Sequence, residues 1–452
     1  MFRILFLLLI FACKSSTQST DLSSVNQVHF DRDSVANEME MWMQKACIGP
    51  WYPRCIDSTY GGFLSDFNYK WEQDGRQNKM IVTQARHVWT ASILFEHYPQ
   101  QNLYLDVAQH GFEFLRDKMW DSDKGGFYQL VNQEGEPIRD DAEYGLVKTA
   151  YGNAFGIYGL AAYYRVSKEE GALDLAKKAF GWLESHSHDP VAKGYFQFLL
   201  EDGTPLSEGH TNPAKDQNSS IHLLEALSEL YIVWPDSLLK ERVEEMLILI
   251  RDTITTEIGS LTLFSDKNWK PASYQDSTED VIRDHIHTDH ISFGHDIETA
   301  YLLMEASHVL HDPDDAKTRA KAKIMVDHTI QTGWDDENGG IYDGGYYFKN
   351  KPGMTIVLHH KAWWAQVEAM NTLLIMADLY PDDPLDYSSF FLKMWDYTKD
   401  NLIDKEYPGI FVRGLDQDPE ARTAAKGGIW KGNYHNVRSL LNCIKRLRGE
   451  EH

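Results

Sequence analysis

The chain has 452 residues, 42% of them hydrophobic and 25% charged. That is a globular composition, not a disordered one, and is enough for one large domain or two or three ordinary ones. Its 44 basic and 68 acidic residues leave a formal charge of −24, which repels phosphate backbones and excludes nucleic acid as a partner.

Residues 1–12, "MFRILFLLLIFA", read as a signal peptide. Arg3 supplies the positive n-region, and the apolar run from residue 4 is too short to span a bilayer. Ala12 followed by Cys13, with Ile10 at the aliphatic position, matches a bacterial lipoprotein cleavage site, although Phe11 is bulky for its place. The expected address is the periplasmic side of a bacterial envelope, with Cys13 lipidated and residues 13–29 a polar tether. That lipid would be the chain's one membrane contact, since no later segment is long and apolar enough to cross. Cys47 and Cys55 bracket "IGPWYPR" and can pair in an oxidising compartment, while Cys443 lies in an apolar helix pattern and reads as core. No cysteine has metal-ligand spacing.

From residue 30 onward a period governs the chain. Glycine turns recur as "YGGF" at 60, "GGFY" at 125, "KGYF" at 193, "GGIY" at 339 and "PGIF" at 408, with "GSLTLF" at 259 a weaker member. A richly apolar helical pattern follows each turn, such as "ARHVWTASILFEHY", and a more charged one precedes the next, such as "GALDLAKKAFGWLESH". Twelve helices alternating in this way suit an all-α fold, an (α/α)6 barrel with a buried inner ring and an amphipathic outer ring. The spacing predicts one such catalytic domain over 30–452. An open solenoid is the alternative, but it calls for polar capping repeats that neither end shows.

The same period indexes the polar residues at the inner-helix starts. Arg86, Tyr151, His222, His295, Trp364 and His435 are separated by 65, 71, 73, 69 and 71 residues. If every inner helix starts at one end of the barrel, all six converge on one pocket. His295 and Glu298, in "SFGHDIETAYLLMEAS", share a face in the first turn of their helix. Imidazoles, a guanidinium and carboxylates on one cleft suit proton transfer next to a carbonyl. Arg86 is then placed to stabilise the developing oxyanion. "DHIHTDH" at 284–290 holds three histidines, but it lies in a loop pattern without the i, i+4 pair of a helical zinc site. GxSxG, GxxxxGK[ST] and a GxGxxG after a strand are all absent.

"QARHVWT", "NSSIHLLEA", "SFGHDIE", "KAWWAQVEAM" and "WKGNYHNVR", in that order, resemble the N-acylglucosamine 2-epimerase superfamily, most closely its cellobiose 2-epimerase branch. The resemblance covers nearly all of the chain after the tether. It implies an (α/α)6 barrel working without cofactor or metal on a disaccharide or monosaccharide. It also implies roles: His295 and His435 as the acid/base pair, His222 assisting ring opening, Arg86 holding a substrate oxygen, and Glu298 supporting His295. Tyr151, Asn218, Trp364, Glu368 and Trp430 match positions lining the sugar pocket, with Trp363 beside them. Ser220 stands where some members carry a second histidine.

The expected reaction is cofactor-independent inversion of C2 in the reducing-end residue of a β-1,4-linked disaccharide, cellobiose to glucosyl-mannose, by two-histidine proton transfer through an enediolate. Mannobiose epimerisation and aldose–ketose isomerisation of mannose are alternatives within the class. A glycoside hydrolase, with Glu298 and Glu368 flanking the bond, and a carbohydrate-binding protein without chemistry stand outside it.

Overall fold

The alternation of apolar and amphipathic segments becomes two concentric rings. The computed structural model describes residues 30–141, 145, 147–206 and 213–450; the expected signal peptide, tether and Cys13 lie outside them. In chain order the elements are α1 (Arg32–Trp42), α2 (Ile81–His97), α3 (Asn102–Phe114), α4 (Ala150–Ser167), α5 (Glu170–His186), α6 (Gln217–Val233) and α7 (Ser237–Leu249). Two short helices follow, α8 (Glu279–Asp284) and α9 (Ile286–Asp289). Then come α10 (Phe293–Leu310), α11 (Asp315–Gly333), α12 (Trp363–Leu379), α13 (Tyr387–Tyr397) and α14 (Tyr434–Leu447).

The inner ring closes. α2 packs on α4, α4 on α6, α6 on α10, α10 on α12, α12 on α14, and α14 back on α2. This closure distinguishes an (α/α)6 barrel from an open solenoid. The outer helices α3, α5, α7, α11 and α13 each pair with the inner helix before them, and α1 completes the ring by packing on α14. Burial follows the sequence pattern: every residue of α2 from Ile81 to Leu94 is buried. α11 instead buries a stripe (Thr318, Ala322, Met325, Val326, Thr329 and Ile330) and leaves its basic side chains outward. Each fully buried Leu of the inner ring, such as Leu303 or Leu373, contributes ~1.5–3 kcal/mol relative to exposure.

Five of the six glycine turns share one geometry, with bridge partners seven residues apart, and the fourth is one residue shorter. Isolated or short antiparallel bridges join Ile56 to Phe63, Trp120 to Phe127, His188 to Tyr195, Thr255 to Leu261, Trp334 to Ile341 and Ile403 to Ile410. Gly62 shows why glycine is needed: its φ is +66°, and a Cβ there would lie 2.6 Å from Gln84 Oε1. That oxygen accepts the Phe63 N–H at 2.7 Å, so the turn sits directly on its inner helix.

A buried lysine fastens five of these turns. Lys79 meets Asp57 at 2.9 Å, Lys148 meets Asp121 at 2.7 Å, and Lys215 meets Asp189 at 2.8 Å. Lys361 meets Asp335 at 2.7 Å and Lys426 meets Asp404 at 2.6 Å. The first four lysines also donate to a carbonyl of the same turn, that of Gly61, Gly125, Lys193 or Gly339. The fourth turn differs. Thr256 takes the aspartate's place and bonds Ser260, and Ile291 stands where the lysine would be.

Two expectations need correction. Cys47 and Cys55 are free thiols, not a disulfide, because both pack as small apolar side chains within the core. Burial pushes the Cys47 thiol up to about 12. The 284–290 segment is largely α9 and the end of α8, not a loop, and its polar groups have structural partners. His285 stacks on Tyr274 with centroids 4.2 Å apart, and His290 Nδ1 bonds the Ile286 carbonyl at 3.0 Å. Asp289 accepts from Ser273 Oγ, the Tyr274 N–H and Tyr346 OH. Among the described residues no helix is long and apolar enough to cross a membrane.

Candidate active site

Because the six inner helices start at one end of the closed ring, their first turns face one another. The indexed side chains form a connected chain around that end. Arg86, from α2, donates to Tyr151 OH of α4 at 2.9 Å, and its guanidinium lies over Phe155 and Tyr434, 4.2 and 4.9 Å from their centroids. The Tyr151 ring meets His222 of α6 at 5.2 Å and Trp430 at 6.1 Å. Trp364, opening α12, lies between two histidines, 4.7 Å from His295 of α10 and 5.8 Å from His435 of α14.

Each of the three histidines is held through Nδ1. His222 Nδ1 lies 2.8 Å from Glu225, His435 Nδ1 2.8 Å from Glu368, and His295 Nδ1 2.8 Å from Ser292 Oγ. A carboxylate only accepts, so the Nδ1 of His222 and of His435 carries a hydrogen and Nε2 is the nitrogen turned away from the glutamate. No described side chain bonds Nε2 of any of the three.

The carboxylates are in turn gathered by one buried cation. Arg438, 1% exposed, pairs with Glu225 through Nη1 and with Glu298 and Glu368 through Nη2, the latter two at 2.5 and 2.7 Å. Tyr434 adds a hydroxyl to the Glu225 end. Four inner helices therefore meet at one guanidinium. Glu298, Glu368 and His435 also have the convergence of a metal site, with ligand atoms within 4.8 Å of one another. Arg438 already pairs with one oxygen of each carboxylate, while Glu368 Oε2 is buried without a hydrogen-bond partner.

The electrostatics favour neutral imidazoles. Burial lowers His295 to about 4, against a weaker upward pull from Glu298. Burial, with Arg86 nearby, holds His435 well below the usual histidine range. Burial raises Glu368, while Arg438 opposes it. Arg438, with His222 and Tyr434, outweighs burial at Glu225 and lowers it.

Most of the indexed residues come together; a few differ in detail from expectation. Glu298 does not hold His295: its bond is to Arg438, and the imidazole it approaches, at 3.8 Å, is that of His435. The first-turn spacing put it on the His295 side of the helix, but the buried guanidinium is the stronger partner for a carboxylate. Trp363 also turns aside. Its ring faces Lys431, whose Nζ is 5.3 Å from the centroid, while Trp364 alone of the pair meets the histidines. Asn218 is half-buried one turn before His222, and Trp430 is 41% exposed at the mouth. Ser220 Oγ bonds the Asp216 carbonyl within the helix. Glu225, Ser292 and Tyr434 were not foreseen. Glu225 had a signal, since it stands three residues after His222 as Glu298 does after His295.

Residues 61–439 match the family described as N-acylglucosamine 2-epimerase (GlcNAc 2-epimerase). Cellobiose 2-epimerase of Dictyoglomus turgidum is 27% identical over 408 residues, covering 88% of this chain and 96% of that protein. Cellobiose 2-epimerase of Bacteroides fragilis is 29% identical over 415 residues, covering 90% and 98%. The structure of cellobiose 2-epimerase from Spirochaeta thermophila superimposes with a TM-score of 0.77 at 28% identity, over 93% of this chain and 98% of that one. With its model matched over most of its length, the chain belongs to the N-acylglucosamine 2-epimerase family and to the isomerase class of enzymes.

Proposed function

We propose that the protein inverts C2 of the reducing-end residue of a β-1,4-linked disaccharide, with cellobiose to glucosyl-mannose the first candidate and mannobiose the second. The observation that carries this is the pair of neutral histidines, His295 and His435, on either side of Trp364, each fixed through Nδ1. The relatives named cellobiose 2-epimerase support the choice of substrate class.

The chemistry needs the open-chain aldehyde, whose carbonyl acidifies the C2 hydrogen. His222, oriented by Glu225, assists ring opening. One histidine removes the C2 proton, the C–H electron pair enters the enediolate, and Arg86 stabilises its oxygen. The other histidine, having taken a proton at Nε2 from solvent, delivers it to the opposite face and returns to the neutral form. The first releases its proton to solvent, and the roles exchange in the reverse direction. Glu368 supports the imidazolium of His435. Trp430 and Tyr151 offer aromatic surface for the sugar.

The hydrolase alternative fits poorly. Glu298 and Glu368 share one guanidinium nitrogen and are 1% and 0% exposed, whereas a glycosidase pair must flank a sugar bond. Incubation with cellobiose, mannobiose, lactose and mannose in heavy water tests the proposal. Deuterium at C2 of an epimerised disaccharide is the expected result; deuterium at C1 of fructose formed from mannose would identify an aldose–ketose isomerase instead. We further propose that Cys13 is lipidated and anchors the enzyme in the envelope, which labelled fatty acid retained by the wild type and lost in Cys13→Ala would support.

A further inference from the structure

Ser292 immediately precedes α10, in the place Thr149 holds before α4 and Asp216 before α6. Thr149 Oγ1 accepts the Gly152 N–H at 2.8 Å, and Asp216 accepts the Ser219 N–H at 3.0 Å, so both cap their helices in the ordinary way. Ser292 is among the best capping residues by type, yet it makes no capping bond. Its hydroxyl turns inward, 2.8 Å from His295 Nδ1, and the residue is 7% exposed. Three positions equivalent in the repeat thus carry three side chains able to cap, and the one beside His295 is diverted to the imidazole.

We propose that Ser292 is a positioning residue for His295, fixing the orientation of the ring so that Nε2 is turned to the substrate. This rests on the reading of His295 as one of the two acid/base groups. In the working tautomer Nδ1–H donates to Ser292 Oγ and the Nε2 lone pair takes the C2 proton, while the C–H electron pair stays on the sugar as the enediolate. The imidazolium so formed keeps its Nδ1–H bond and later releases the Nε2 proton, restoring the same neutral tautomer. The opposite tautomer carries its hydrogen on Nε2 and has no base to offer the substrate. His222 and His435 obtain this restriction from Glu225 and Glu368, whose carboxylates accept only. His295 meets an uncharged hydroxyl, which can donate or accept and so orients the ring in either tautomer, without adding negative charge beside it.

The test compares Ser292→Ala, Ser292→Thr and His295→Ala by kcat, KM and entry of solvent deuterium at C2, starting separately from cellobiose and from glucosyl-mannose. In a two-base mechanism His295→Ala blocks exchange from one epimer and spares it from the other. Ser292→Ala is expected to lower kcat by roughly 10-fold to 10²-fold with little change in KM. It should slow exchange only from the epimer that His295→Ala silences. Ser292→Thr, which keeps the hydroxyl, should recover most of the rate. Near-normal kcat in Ser292→Ala, or equal slowing from both epimers, would overturn the assignment while leaving the two-histidine reading in place. Normal epimerisation by His295→Ala would overturn both.

Discussion

Buried charge is organised in two ways in this barrel. At the rim, each of five lysines meets an aspartate of its own repeat's turn, and each pair is closed within about one turn and one helix start. In the site, one arginine serves three glutamates from three different inner helices, and two of those glutamates hold histidines. The rim pairs are local and repeated, each holding a turn onto the helix start that follows it, although Lys361 also reaches Asp416 at 2.6 Å and Lys79 the Gln133 carbonyl at 2.8 Å. The Arg438 cluster is central and unrepeated, so it ties the orientation of His222 to that of His435. The fourth repeat, which carries His295, has no Lys–Asp pair, and there a hydroxyl contact appears at both places: Thr256 with Ser260, and Ser292 with His295. Periodic parts maintain the ring, and departures from the period mark the chemistry.

Arg438→Met should break the comparison most severely. Three buried carboxylates would lose their common cation, and removing one partner of a buried ion pair costs ~3–5 kcal/mol. The two histidines oriented by Glu225 and Glu368 would drift as well, adding a loss of kcat on the order of the ~10²–10⁴-fold assigned to positioned acid–base groups. Thermal unfolding and initial rates on cellobiose should therefore both fall. A folded, near-normally active Arg438→Met would show that the cluster is not what positions the histidines.

Lys148→Met tests the rim. It leaves Asp121, 2% exposed, without its cation. A stability loss of ~3–5 kcal/mol is expected, with kcat per folded molecule within a few-fold of normal. Adding Asp121→Asn should recover part of the loss, because the backbone N–H groups of Asp123 and Lys124 still find an acceptor. If Lys148→Met instead cut kcat as deeply as Arg438→Met while leaving stability intact, the separation of rim from site would fail.

Much of this was legible in the sequence, for definite reasons. The glycine turns recur because a left-handed residue is required where the turn sits on the inner helix, as at Gly62. The six spokes could be indexed because the inner helices begin at near-regular intervals, at residues 81, 150, 217, 293, 363 and 434. The rim pairs also left a signature: an aspartate five residues before a glycine in Asp57–Gly62, Asp121–Gly126, Asp189–Gly194, Asp335–Gly340 and Asp404–Gly409. What the linear chain could not show was which partner wins when several converge. Glu298 is near His295 along its helix, but Arg438 lies 140 residues away and meets it only when the ring closes. Cys47 and Cys55 are close enough in sequence to pair, a question the linear chain left open, and they stand as free buried thiols.

The smallest effect sharpens the comparison through pH. Burial lowers several histidines, His435 among them; His87 falls to about 3 and His295 to about 4. In the unfolded chain both titrate near 6.5. Between that value and about 4 the unfolded state therefore binds protons that the folded state refuses, so stability must fall as pH falls through this window. The upper limit is ~1.4 kcal/mol per pH unit for each histidine. The rim carboxylates Asp57, Asp121, Asp189 and Asp335 act in the same direction but lower on the pH scale. Desolvation by burial raises each, but hydrogen bonds, above all from the paired lysine, outweigh it and hold their pKa values below the usual range. They are ionised in both states above about pH 5 and steepen the slope only towards pH 4, where the unfolded aspartates begin to take up protons. His87 bonds Tyr52 OH at 3.0 Å and takes no part in the cluster around Arg438. His87→Gln should therefore flatten the decline of Tm between pH 6.5 and 4 while sparing epimerisation at neutral pH. An unchanged slope in His87→Gln would mean that acid sensitivity arises elsewhere, with the rim pairs the first place to look.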